Sequence, residues 1–153
     1  MPNRAVIADA STLIGLHKIK GLDLLQQLYG HVEITSIVKE ECAVDLPGWI
    51  QINDRYDPVA YRSLYPSLDA GEASSIALAL TLENVLLIID ERKGRKWARS
   101  MGVPITGLIG ILIRAKQRGL ISSGKQQLNS LREQGFRLSD RVYELALKEM
   151  NEE

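Results

Sequence analysis

Four carboxylates fall where a strand should end or a helix begin: Asp9, Glu41, Glu72 and Asp90. Asp9 and Asp90 close the apolar, β-like runs Ala5-Val6-Ile7-Ala8 and Val85-Leu86-Leu87-Ile88-Ile89. Glu72 opens the small-residue helix Gly71-Glu72-Ala73-Ser74-Ser75-Ile76-Ala77-Leu78-Ala79, and Glu41 lies on the helix after another strand. In an open α/β sheet the carboxyl ends of the strands line the ligand crevice. Acids brought together there repel, and without a cation some would take up protons. A hard divalent ion, Mg²⁺ or Mn²⁺, is the simplest counter-charge. Such an ion lowers the pKa of a bound water and neutralises a leaving oxygen, which is the chemistry of phosphodiester hydrolysis. Glu72, in a first helical turn, should be kept ionised by the helix dipole, worth roughly 0.3–1 kcal/mol. The hydroxyls of Ser11, Thr12 and Thr106 fall near strand ends, where they could orient an acid, a water or a phosphate.

Each acid also has a plain structural use. Asp9 could cap the first helix, and Glu72 sits at the fourth position of a capping box begun by Asp69. Asp90 could cap the helix that follows, and Glu40 and Glu41 could be solvated neighbours. The combination carries more weight than any single residue. After Asp90, Arg92, Arg95, Lys96 and Arg99 recur at spacings of 3, 4 and 7, hence on one helix face. That face begins beside the acids and could hold a nucleic-acid backbone. Arg114, Lys116 and Arg118 form a second basic group.

The elements that must position these residues read as alternating strands and helices. Strands are expected near 5–8, 31–35, 49–53, 85–89 and 103–106, with 85–89, the most apolar, at the centre. Ser11 or Thr12 should cap the first helix and Ser36 the helix through about Val44. Residues 57–68 read as a loop with a short helix, 91–101 and 107–118 as helices, and about 122–134 and 139–150 as amphipathic helices, the last capped by Ser139. The pattern implies a three-layer α/β/α sandwich around a central parallel sheet of about four or five strands. Length argues for one domain over residues 1–153, the carboxy-terminal helices packed on it.

Composition narrows the classes. Nineteen basic residues balance nineteen acidic ones, so any nucleic acid must be met by a local patch rather than a global field. The lone Cys42 excludes an internal disulfide and a Cys-rich zinc site, which suits a cytoplasmic location. No run approaches the roughly 18–20 apolar residues of a membrane span, and the amino-terminal apolar run is too short for a signal peptide. His17 and His31 are not at metal-ligand spacing. No G-x-G-x-x-G, P-loop or G-x-S-x-G is present.

The segments Val6-Ile7-Ala8-Asp9-Ala10-Ser11-Thr12, Ile34-Thr35-Ser36-Ile37-Val38-Lys39-Glu40-Glu41, Leu68-Asp69-Ala70-Gly71-Glu72-Ala73 and Leu87-Ile88-Ile89-Asp90-Glu91-Arg92-Lys93-Gly94-Arg95 resemble a PIN domain. That fold serves as the nuclease of VapC-like toxins. Residues Gly107 through Ile121 resemble a subgroup of short prokaryotic PIN proteins. The resemblance implies a Mg²⁺- or Mn²⁺-dependent endoribonuclease acting on single-stranded RNA, often homodimeric, and in toxin–antitoxin pairs inhibited by an antitoxin peptide near the site. Position by position it makes Asp9, Glu41, Glu72 and Asp90 the four acids, with Glu40 the fallback for the second. Asp9, Glu72 and Asp90 would hold the metal; Ser11, Thr12, Arg92, Arg95 and Thr106 would meet the substrate. Toxins usually carry Asp where Glu72 stands, and many have a further Asp where Lys93 stands, so one metal or two is left open. The alternative is a catalytically weak or inactive PIN-like module binding RNA or protein. A phosphatase with Asp9 as nucleophile is disfavoured, since the Asp expected two residues later is Ser11.

Overall fold

The computed structural model describes residues 4–153; residues 1–3 of the expected domain lie outside them. Five strands among these residues form one parallel sheet: β1 (Ala5–Ala8), β2 (Val32–Ile34), β3 (Ile50–Ile52), β4 (Val85–Ile88) and β5 (Ile105–Thr106), in the order β3-β2-β1-β4-β5. Helices α1 (Ala10–Lys18), α2 (Asp23–Tyr29) and α3 (Ser36–Cys42) separate the first three strands. Helices α4 (Pro58–Leu64) and α5 (Ala70–Ala79) lead to β4, and α6 (Arg92–Ser100) joins β4 to β5. Helices α7 (Leu108–Gln117), α8 (Gly124–Glu133) and α9 (Asp140–Glu149) complete the fold.

Side chains alternate across the sheet because a strand has a period of two. Val6 and Ala8 enter a core with α1, α2, α3, α7, α8 and α9, whereas Ile7 enters a second core with α4, α5 and α6. In β4, Val85 and Leu87, with Ile89 just beyond, face that second core, and Ile88 faces the first. The strands are thus covered on both faces, as parallel strands must be, and the arrangement is the expected α/β/α sandwich. The centre differs from expectation: β1 is central, and β4 lies between it and the two-residue edge strand β5.

This order places the site. The chain winds outward from β1 through β2 to β3, then returns to β1's other side for β4 and β5. The reversal between β1 and β4 is a topological switch point, where loops diverge and leave a crevice. Ala8 pairs with Ile88, and the Asp9 N–H donates to the Ile88 carbonyl at 2.9 Å. Asp9 and Asp90 therefore leave adjacent strands at the same end of the sheet. No helix among the described residues is long and apolar enough to cross a membrane.

Candidate functional site

Asp9 stands at the N-cap position of α1 but does not cap it. Neither does Ser11, which is exposed, nor Thr12, which is fully buried. Asp9 is itself only 4% exposed, and its Oδ1 has no hydrogen-bond partner. Burial raises its pKa from 3.8 to about 7; the Ala10 N–H opposes that rise, while Asp69, Glu41 and Asp90 add to it. These three carboxylates are thus near enough to be felt at Asp9.

Glu72 enters from α5. Asp69 caps this helix by accepting the Glu72 N–H at 2.8 Å, and it also hydrogen-bonds the Glu72 carboxyl. Glu72 is 4% exposed, and its Oε2 has no partner. Its pKa rises well above the carboxylate range, first through burial, then through Asp69, Asp9 and Glu91. The dipole argument fails here on magnitude. About 1 kcal/mol at a helix terminus cannot offset a desolvation cost of several kcal/mol for a buried ion.

Glu41 reaches the same mouth from α3, whose cap is Thr35 rather than the expected Ser36. The Gly71 N–H hydrogen-bonds its carboxylate, while burial and Asp69 raise its pKa. Glu40 is exposed and has no such contact. Asp90 is held differently. Its Oδ2 accepts the Thr12 hydroxyl and its Oδ1 accepts the Leu108 N–H, the latter at 2.8 Å. It does not cap α6; Glu91 does, accepting the N–H groups of Lys93 and Gly94.

Three glycines make room for the acids. A Cβ on Gly71 would land on the Glu41 carboxylate. One on Gly94 would come within 2.9 Å of Glu72 Oε2 and 2.6 Å of Ile89 Cδ1. One on Gly107 would lie 2.7 Å from both Asp90 Oδ1 and Arg95 Nη1. The acids are packed against bare backbone.

The fit to a divalent cation rests on three observations. The donors are all carboxylate oxygens; burial first, then Asp9 and Glu41, pushes the Cys42 thiol up to about 11, so it stays protonated. The acid ring has no ion-pair partner: the salt bridges among the described residues are Lys116–Glu152 and Arg132–Asp140. Two buried carboxylate oxygens have nothing to bond. Against these, no group of three or more acid, imidazole or thiol side chains among the described residues is already arranged to hold a metal ion; the arrangement is a ring of carboxyls.

Of the other residues proposed for substrate, Arg92, Arg95 and Thr106 line one cleft with Asp90. Arg95 donates to the Ile89 carbonyl at 2.9 Å. Thr12 is fully buried and its hydroxyl donates to Asp90. Ser11 lines a separate, smaller cleft. Lys96, Arg114, Lys116 and Arg118 do not line the cleft beside Asp90. Lys116 is instead tied to Ser122 and Glu152, and Arg118 reaches the Leu28 carbonyl. His17 and His31 are exposed and Cys42 is buried. Two members of the acid ring, Asp69 and Glu91, were hidden in the sequence behind their capping roles. The glycines in Asp69-Ala70-Gly71-Glu72 and Arg92-Lys93-Gly94-Arg95 were the available signal.

No curated protein and no solved structure matches this chain. A family model described as a PIN domain, DUF3368, matches residues 5–152. With a parallel sheet reversing between β1 and β4 and acids gathered at that reversal, this chain belongs to the PIN-domain family.

Proposed function

We propose that this chain is a Mg²⁺- or Mn²⁺-dependent endoribonuclease that hydrolyses single-stranded RNA. One observation carries the reading: Asp9 and Glu72 each keep a buried carboxyl oxygen without a partner, in a ring of acids that makes no salt bridge among the described residues. Leaving such groups unsatisfied is costly, so a fold that retains them is built for something it does not itself contain.

Asp9, Glu72 and Asp90 would hold the ion, with Thr12 and the Leu108 N–H fixing Asp90. When bound, the ion supplies a more acidic water and neutralises charge on the leaving oxygen. Glu41, exposed at the mouth, would take the proton of an attacking water. Its raised pKa brings it nearer the range in which a general base works well. Arg92 and Arg95 would carry the phosphates next to the cut. A toxin role, with an antitoxin as inhibitor and a homodimer as the assembly, belongs to the same reading. Growth arrest on expression and light scattering would test those two points.

The direct test is cleavage of a single-stranded RNA by purified protein with Mn²⁺ or Mg²⁺, together with calorimetry of metal binding. Cleavage that vanishes in EDTA, in Asp9→Asn and in Asp90→Asn is the expected result. Undiminished cleavage in both variants would remove the mechanism. Absence of Mn²⁺ binding at millimolar concentration would favour the non-catalytic module.

A further inference from the structure

Asp90 also lines a larger cleft of about 630 Å³. One wall is α6, through Arg92, Arg95 and Arg99; the other is the connection between α8 and α9, through Phe136, Arg137 and Leu138. The volume lies within the roughly 300–1,000 Å³ of sites that enclose small organic groups. Apart from Asp90 no acid lines it. Arg92, Arg99 and Arg137 are exposed and make no ion pair among the described residues. Arg95 is partly desolvated, is repelled by Arg99 on the same wall and is attracted by Asp90. Four guanidinium groups in one cleft call for an anionic occupant.

The other wall is apolar. Phe136, the chain's single phenylalanine, packs on the core and is only half-buried. It lines this cleft and also the smaller one of about 260 Å³ that contains Ser11 and Lys18. Phe136 is therefore a ridge between two clefts that open beside the ends of β1 and β4. Phosphates on one wall and a flat apolar group on the other describe a nucleotide.

We infer that this cleft is the strand-binding subsite, in which Arg99 and Arg137 join Arg92 and Arg95 on the phosphates and Phe136 stacks on an unpaired base. The inference deepens the ribonuclease reading and rests on it for the identity of the strand. Stacking needs a base whose face is free, which a single strand offers and a duplex does not. Arginines bind the backbone whatever the sequence, so the subsite should select for strandedness more than for base identity.

The test is equilibrium binding of a short single-stranded RNA to the full chain in EDTA, where no cleavage occurs. Phe136→Leu keeps an apolar side chain but loses the aromatic face, and should weaken binding about tenfold. An oligonucleotide abasic at the stacked position should bind both proteins alike. Arg137→Ala and Arg99→Ala should each weaken binding and lower the salt slope by about one. Unchanged thermal unfolding of the variants excludes a folding defect.

RNA affinity indifferent to all three substitutions would overturn the inference even if the protein cleaves RNA. So would preference for a duplex, or a cleft that takes an acidic peptide and no RNA. Binding that responds as expected in a protein inactive with Mn²⁺ would uphold the subsite while the nuclease reading fails.

Discussion

Asp9 and Asp90 leave neighbouring strands at the same end of the sheet, yet the fold treats them in opposite ways. Asp90 has both oxygens engaged, one by the Thr12 hydroxyl and one by the Leu108 N–H. Asp9 is more deeply buried and keeps Oδ1 with no partner. Glu72 resembles Asp9 in this, with Oε2 alone. One acid is oriented by the protein; the other two are buried, each with an oxygen unanswered and its proton held by burial. Hydrogen bonds set where a ligand sits, whereas unmet oxygens set how strongly a cation that displaces those protons is drawn.

Asp9→Asn tests the contrast most severely. Cleavage should fall by more than the roughly 10–100-fold that losing a supporting residue costs a metal site. Stability should move the other way above about pH 7: there, without metal, the variant should melt several degrees higher, because no carboxyl has to ionise in that buried position. A variant that is inactive and less stable would show that Asp9 is structural.

The same charge predicts a pH dependence. Folded Asp9 holds its proton more tightly than the unfolded chain does, since its pKa rises from 3.8 to about 7. The extra stability is present below the lower value and is lost as pH climbs through the upper one. Unfolding in EDTA should therefore become easier between about pH 5 and pH 7, by up to about 1.4 kcal/mol per unit. Glu72, also raised, carries the fall beyond neutrality. Saturating Mn²⁺ should flatten or reverse the trend, and Asp9→Asn should remove its lower part. A metal-free protein equally stable across this range would contradict the account.

Gly94→Ala probes the space rather than the charge. Its methyl group would press on Ile89 and the Glu72 carboxylate, so chemical denaturation should show a loss of about 1–3 kcal/mol and calorimetry a weaker metal site. Thr12→Val tests the opposite arm of the comparison. It strips one hydrogen bond from Asp90, at about 1 kcal/mol of stability, with a loss of cleavage on the order of 10–100-fold; Thr12→Ser should recover most of both. Ser11→Ala should do least. Its side chain is exposed and outside the acid ring, so stability should stay within about 0.5 kcal/mol and cleavage should be unchanged.

Local signals in the chain were strong enough to read nearly every element. Apolar runs bounded by Asp9 and Asp90 read as strands, and the Ser139 and Asp69 caps are where the spacing puts them. Strand order was harder. Val85 to Ile88 is the most apolar strand because both its faces are covered, and that happens one place from the centre as readily as at it. Spacing could bring Arg92 and Arg95 to the acids, since they follow Asp90 directly. It could not bring Phe136 and Arg137, which arrive only because the connection between α8 and α9 faces α6 across the cleft. Whether Glu72 is ionised was equally hidden: a helix start is visible in a sequence, the dryness around it is not.

Gly71, Gly94 and Gly107 carry a consequence for reading relatives of this chain. A single methyl group at any of the three would displace a carboxylate while leaving every acid in the sequence. A copy could thus be silenced by adding atoms, and it would still pass for intact in any inventory of Asp and Glu. Sorting working copies from silent ones should begin at those three positions.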